Sequence, residues 1–443
     1  MLVLKGKYCK DCIVFTDNIE DEAIKTIQSI LDCKAFDGAK IRIMPDVHQG
    51  KGIVIGFTSP IGDYICPSHV GVDIGCMIDT YITDADVNED EFAVIEHRIR
   101  KEIPFGFDIY DQTQIDYKHF YRFMNNGLNR LRSLWPEMID SCAYCDEEGI
   151  TDICQRIGMD EGKFYKSLGT VGGGNHFIEI GATPEGKYAF TIHCGSRNFG
   201  AKVCQYWEKM AMKGLSKKEI KEMTSEFKET WRVCGQPMKD FKEALNVYLE
   251  GQKSKCINGY LSGENMVGYI TDMAIAQLYS EYNHYVISQK IANILNKLNK
   301  AKVVSRIASI HNYIDYQDHI IRKGSIRSYD GELMVIPFNM RDGLAICMGK
   351  SNADYNFSAP HGCGRLMSRS KAVSTLSVNE FVDQMKGIYS TSVGKNTIDE
   401  APNAYKSKDE ILELIKPTCD VLYIIKPVIN LKDSSSYAER LRD

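Results

Sequence analysis

An α+β fold in one large domain, with an irregular β-sheet core and a helical insertion, is predicted by three observations. Short strand-like runs punctuated by glycine lie on both sides of a helical stretch, 202–299. Polar segments carrying histidine fall in both strand-rich parts, so the two halves are expected to build one core over 1–443. No repeat or low-complexity tract divides the chain, and strands and helices do not alternate regularly. With 44% apolar and 10% aromatic residues, the 443-residue chain can bury a sizeable core, which excludes global disorder.

The elements follow in order. Residues 17–33 read as a helix, with Asp17 as its cap and Ile24, Ile27, Ile30 and Leu31 as its apolar stripe. KIRIMPDVHQGKGIVIG then alternates as short strands broken by Pro45 and glycines, and CPSHVGVDIGC (66–76) is a tight, glycine-punctuated segment. Between 202 and 299 the chain turns charged and amphipathic; Val267, Ile270, Ala274, Leu278, Tyr282 and Tyr285 keep helical spacing over several turns. Strand patterns return in VVSRIASIH, LMVIPFNM, LAICMG and VLYIIKPVINL.

A formal net charge of −5 counts against a generally basic nucleic-acid surface, so any RNA contact must come from a local basic patch. Fifteen cysteines without regular spacing, a start (MLVLKGKYCKDC) lacking an apolar signal core, and no long apolar run together predict a cytoplasmic protein with free thiols and no membrane span. Two CxxC pairs, Cys9/Cys12 and Cys142/Cys145, are far apart and lack an adjacent histidine, so small buried thiols are the better expectation than zinc.

Of the ten histidines, four sit among small polar residues: His176 in GGGNHF, His193 in FTIHCGSRN, His311 in ASIHN and His361 in SAPHGCGR. Several follow an apolar strand-like run, where a rigid strand hands a side chain to a loop. His48, His69, His97, His119, His284 and His319 are assigned structural roles, His48 least securely. Asp73 and Cys76 in GVDIGC add an oxygen and a sulfur donor, and one glycine-permitted turn can aim both inward. An Asp, a Cys and three His make a donor set that suits Mn, Fe, Co or Zn better than Mg or Ca. A thiolate can bridge two ions, and paired ions clamp both oxygens in phosphoryl transfer, so a two-metal site is expected.

GTVGGGNHFIEI (169–180) offers flexible amides for a phosphate, with Asn175, His176 and Glu179 in or beside it. In SAPHGCGRLMSRSK, His361 is followed by small residues and then Arg365, Arg369 and Lys371, a setting for nucleophilic attack on phosphorus. Cys363 is the alternative nucleophile, placed behind His361.

MPDVHQGKG, GVDIGC, GTVGGGNHFIE, HCGSRN, HN at 311–312, IPFNMRDG, SAPHGCGR, DEAPNAY and a terminal lysine segment, in this order over nearly the whole chain, resemble the RtcB family of RNA ligases, in its bacterial form. The resemblance implies a GTP- and Mn²⁺-dependent ligase, with two ions, joining RNA 3′-phosphate or 2′,3′-cyclic phosphate ends to 5′-hydroxyl ends through GMP carried on His361. It implies metal ligation by Asp73, Cys76, His176, His193 and His311. It also implies guanine-nucleotide contacts from Asn175, His176, Phe177, Ile178, Glu179, His311, Asn312, Pro337, Phe338, Asn339, Met340, His361, Gly362, Cys363, Gly364, Tyr405 and Lys432. Arg197, Lys51 and Arg365 are candidates for RNA phosphates, and the chain is expected to act as a monomer in RNA repair or tRNA splicing. Met77, Cys194, Asn339 and Leu344 depart from the family pattern without removing a ligand or the nucleophile. A two-metal phosphoesterase of cyclic phosphate ends, and a non-catalytic RNA-binding protein, are the competing functions.

Overall fold

The computed structural model describes residues 1–212, 217–255 and 259–435. Its centre is a seven-stranded antiparallel sheet in the order Leu333–Pro337, Leu344–Gly349, Cys419–Leu431, Phe177–Ala182, Lys187–Cys194, Met77–Asp86 and Val303–Ile310. The chain order is scrambled, so strands from both ends of the sequence share one sheet. Pro427 carries no N–H for the ladder, and the register of the long strand Cys419–Leu431 shifts between Pro427 and Ile429.

A six-stranded sheet lies beside it: Leu2–Leu4, Asp11–Val14, Lys40–His48, Ile55–Pro60, Ile320–Lys323 and Asn312–Ile314. A short pair, Ser325–Arg327 with Ser358–Pro360, adjoins the two. The α+β class and the shared core of the two halves are therefore as the sequence implies.

The first helix is Asp21–Leu31 rather than 17–33, and it buries Ala23, Ile27, Ile30 and Leu31. The residues before it turn instead: the Thr16 hydroxyl accepts from the Asn18 amide at 3.0 Å, which takes Asp17 out of the capping position. Among the described residues, the stretch expected to be helical holds four helices, Arg197–Met212, Lys217–Val233, Phe241–Lys255 and Gly263–Asn299. The last, 37 residues and about 55 Å long, is apolar on most sides, as a helix enclosed by other elements must be. It packs against the helix Tyr117–Leu134 and against the strand Lys187–Cys194. Among the described residues no helix is long and apolar enough to cross a membrane.

Candidate active site

Strand register gathers the donor residues at one end of the seven-stranded sheet. Met77 pairs with Cys194 and with Ile310, while Phe177 pairs with His193. Cys76 precedes the first of these strands, His176 precedes Phe177, His193 ends its strand and His311 follows Ile310. Four segments distant in sequence thus deliver their side chains to one point. The Cys76 Sγ lies 3.5 Å from His176 Nε2 and 3.3 Å from His193 Nε2, a grouping able to hold a cation. Asp73 Oδ2 is 2.8 Å from His176 Nε2, and the His311 ring lies 5.2 Å from that of His193. All five expected ligands are together.

The chemistry of this set fits a soft-to-borderline divalent ion. Burial drives the His193 and His311 imidazoles well below their ordinary values, so both are neutral donors. Burial, then the Asp73 carboxylate, pushes the Cys76 thiol far up; only a cation alongside makes it a thiolate. The Nδ1 atoms of His176 and His311 are buried without a hydrogen-bond partner among the described residues. Two glycines make the closeness attainable: a Cβ at Gly195 would collide with the Asp73 carboxylate, and one at Gly172 with the His176 ring.

The long helix Gly263–Asn299 braces every ligand loop but that of His311 with one stretch of buried polar residues. Ser280 Oγ donates to the Gly75 carbonyl at 2.8 Å. Asn283 Oδ1 accepts from the Gly169 amide at 2.7 Å, and its Nδ2 donates to the Thr170 carbonyl at 3.1 Å. His284 Nε2 donates to the Cys194 carbonyl at 2.9 Å. The His311 amide in turn donates to the Cys76 carbonyl at 3.0 Å.

His361 stands where two cavities meet. The larger, about 460 Å³, is lined by Asn175, Phe177, His193, residues 337–340, residues 361–364, Tyr405 and Lys432 among others; its size suits a nucleotide. The smaller, about 250 Å³, carries Asp73, Cys76, His311, Asn312 and Lys51. His361 and Asn175 border both. The His361 Nδ1–H donates to Asp46 Oδ2 at 2.7 Å, and its backbone amide donates to the same oxygen at 3.2 Å. Because a carboxylate at Nδ1 only accepts, the neutral ring carries its proton on that nitrogen and leaves the lone pair on Nε2. Among the described residues no protein group bonds Nε2.

The larger cavity is polar at one wall. Glu400 accepts from Lys432 Nζ at 2.9 Å and from the Tyr405 hydroxyl at 2.7 Å, and it also meets Arg369 and Arg365. Burial alone would raise its carboxyl, but Arg369, Lys432 and Arg365 outweigh that and hold it far below the carboxylate range. Phe177, Pro337, Phe338 and Met340 give the same cavity an apolar lining, with Lys432 Nζ 5.5 Å from the centre of the Phe177 ring.

Three expected nucleotide contacts, His176, Ile178 and Glu179, line neither cavity; His176 stands instead with Cys76 and Asp73. Ile178 points into the core behind the sheet. Glu179 is buried beneath Asn430, which donates to it at 3.0 Å and itself lines the larger cavity. Burial pushes the Glu179 carboxyl up to about 8, and its Oε1 has no partner among the described residues. Cys363 borders the cavity, and burial, then the Asp46 carboxylate, push its thiol up, which disfavours the thiolate a nucleophile needs. Lys51 reaches the smaller cavity. Arg365 is engaged with Glu400 and the Asp399 carbonyl, and Arg197 braces Thr170 Oγ1 at 2.9 Å.

Sequence reasoning missed Asp46, Glu400 and Asn430 and undervalued His48, which borders both cavities with its Nδ1 3.0 Å from the Asp46 carbonyl. Asp46 and His48 lay in MPDVHQGKG and Glu400 in DEAPNAY; Asn430, inside an apolar strand, gave no signal. The other histidines are structural: His69 packs on Phe36, His119 on Tyr282, His319 stacks on Trp135, His284 bonds a carbonyl and His97 is exposed. Cys9, Cys12 and Cys145 are buried thiols, and neither CxxC pair belongs to a ligand cluster among the described residues. Of the departures, Met77 is a buried strand residue away from both cavities, Cys194 is buried beside Asn283, and Leu344 lies in the core. Asn339 turns its amide onto Asp342 at 2.7 Å.

A carboxylate-oriented histidine between a nucleotide-sized cavity and a group of side chains able to hold a cation is the arrangement of an enzyme suited to phosphate chemistry. Residues 35–433 match the family described as tRNA-splicing ligase RtcB. The chain belongs to that family and is an RNA ligase of the bacterial type. It is 29% identical to RNA-splicing ligase RtcB1 of Escherichia coli strain ATCC 25922, with 88% of this chain and 90% of that one covered. It is 28% identical to RNA-splicing ligase RtcB of strain K12 over the same shares. It is 23% identical to the tRNA-splicing ligase RtcB of Aeropyrum pernix, with 91% and 90% covered.

Proposed function

We propose that this ligase joins RNA ends bearing a 3′-phosphate or 2′,3′-cyclic phosphate to 5′-hydroxyl ends, consuming GTP and using two Mn²⁺ ions. The observation that carries the proposal is the Asp46–His361 pair at the junction of the two cavities. His361 Nε2 attacks the α-phosphorus of GTP, the bond to pyrophosphate breaks, and GMP is held on the ring as a phosphoramidate. Asp46 keeps the proton on Nδ1 and stabilises the positive charge that develops on the ring. An oxygen of the RNA 3′-phosphate then displaces the histidine and takes the GMP. Attack by the 5′-hydroxyl oxygen forms the new phosphodiester and expels GMP; a cyclic phosphate is first opened by water.

Asp73, Cys76, His176, His193 and His311 would hold the ions, which would neutralise the phosphate oxygens during these displacements. In the larger cavity Phe177 and Tyr405 offer faces for the base, and Glu179, through Asn430, underlies the discrimination of guanine from adenine. Lys51 stands on the RNA side.

Intact-mass measurement after incubation with GTP and MnCl₂ tests this. The wild type is expected to gain an acid-labile, GMP-sized adduct, and His361→Ala none. A wild type that binds Mn²⁺ yet stays unmodified overturns the mechanism, and hydrolysis of cyclic phosphate ends by His361→Ala would then mark a phosphoesterase.

A further inference from the structure

A second surface has the character of a nucleic-acid seat. The helix Tyr117–Leu134 presents Lys118, Arg122, Asn126 and Arg130 along one exposed face. They recur every four residues, a rise of about 6 Å per step, comparable with the spacing of phosphates along an extended strand. The facing wall comes from the long helix and a strand: Tyr285, Gln289 and Lys290, then Arg306. Two adjoining hollows, sharing Tyr285, run between the walls. Five cations line this groove against the carboxylates of Asp116 and Glu281, in a chain whose formal net charge is −5.

Some of these cations are already engaged. Arg130 lies 3.5 Å from Glu281, and Arg306 is held by the buried Asp79. Lys118 and Arg122 are in no ion pair among the described residues. Tyr285 is 38% exposed, an aromatic ring open to a base. The groove also connects to the catalytic centre. Lys290 Nζ donates to the Tyr110 hydroxyl at 2.9 Å, and that oxygen lies 3.0 Å from the Gly169 carbonyl, at the start of the loop carrying His176.

We propose that this groove seats the single-stranded body of the RNA whose end is being joined, its phosphates along Lys118, Arg122 and Arg130 and a base on Tyr285. The inference rests on the RNA-ligase reading and adds to it a contact remote from the reacting ends. A cationic row on one wall gives sequence-independent affinity, and the open ring accepts any base.

The test is fluorescence anisotropy with a labelled single-stranded RNA carrying a 5′-phosphate and a 3′-hydroxyl, so that no joining can occur. The Lys118→Gln, Arg122→Gln, Arg130→Gln variant is expected to bind about tenfold or more weakly. Its slope of log affinity against log salt should be shallower by about 2, from three lost phosphate contacts on a single strand. Tyr285→Ala should weaken binding without changing that slope. GMP adduct formation by the triple variant should match the wild type, which also reports on folding. Unchanged RNA affinity in the triple variant overturns the proposal, leaving the row as a solvated face or a seat for an acidic protein. Absence of the adduct from wild type would instead count against the ligase mechanism, independently of the RNA titration.

Discussion

At the scale of single residues, the reactivity of His361 depends on which ring nitrogen keeps its proton, and Asp46 decides that. Asp46→Asn can present its amide to Nδ1 and so favour the unproductive tautomer. Adduct formation should slow by about 100-fold or more, while Mn²⁺ affinity by titration calorimetry stays within a few-fold; equal loss of both would make Asp46 a structural residue only. Glu179 tests a different point. Its carboxyl is raised to about 8 by burial, so the folded chain holds that proton where the unfolded chain has released it. Stability from this group is fully present below the ordinary glutamate value and is lost as pH rises towards 8. Glu179→Gln should therefore raise Tm by a margin that grows between pH 5 and pH 8, and should weaken GTP binding; a margin flat with pH would contradict the raised carboxyl. The expected ligands and His361 were legible in the sequence because each sits in a short run of small or glycine-rich residues, and His193, His311 and His361 come at the end of an apolar strand. Asp46 was not, since its role exists only once the strand Lys40–His48 lies beside the 358–361 segment, some 300 residues later.

At the scale of elements, the Gly263–Asn299 helix shows what periodicity reveals and what it hides. Its spacing predicts a helix, and residues 202–299 are expected to form a helical insertion or subdomain within the one domain. Within that stretch, 263–299 buries polar residues Ser280, Asn283 and His284 against the loops that bear the expected ligands. A buried histidine in a helical stripe is indistinguishable in sequence from any satisfied core residue; its carbonyl partner belongs to another segment. The first helix erred in the other direction, because a local Thr16–Asn18 turn outcompetes Asp17 as a cap. If the long helix fixes the ligand geometry, His284→Leu should lower Mn²⁺ affinity about 10- to 100-fold. His284→Gln, which can still donate to the Cys194 carbonyl, should recover much of it. Titration calorimetry of the two variants reads this directly, and equal affinities in the leucine variant and wild type would reduce His284 to a packing residue.

At the scale of the whole molecule, the centre ties together the Asp73–Cys76 turn, the loop before Phe177, the end of the strand Lys187–Cys194 and the residue after Ile310. Sheet order could not be read from the sequence, because antiparallel pairing of strands more than 200 residues apart is set by packing rather than by any local pattern. The same dispersal has a thermodynamic consequence. A cation that binds these donors binds only the folded chain, since the unfolded chain does not assemble them. Mn²⁺ at about 100 times its Kd should then stabilise by about 2.7 kcal/mol. With an unfolding entropy of about 2.1 cal/mol/K per residue, this corresponds to a Tm rise of about 3 °C. Cys76 adds a pH dependence: its thiol is held far above the ordinary range when no cation is present, so ion binding releases a proton and strengthens as pH rises. Differential scanning calorimetry at pH 6 and pH 8, with fixed Mn²⁺, should show the larger Tm rise at pH 8. The rise should disappear with chelator and in Cys76→Ala. A rise that persists in Cys76→Ala would place the stabilising ion elsewhere in the fold, and one that shrinks from pH 6 to pH 8 would mean that the thiol keeps its proton when the ion binds.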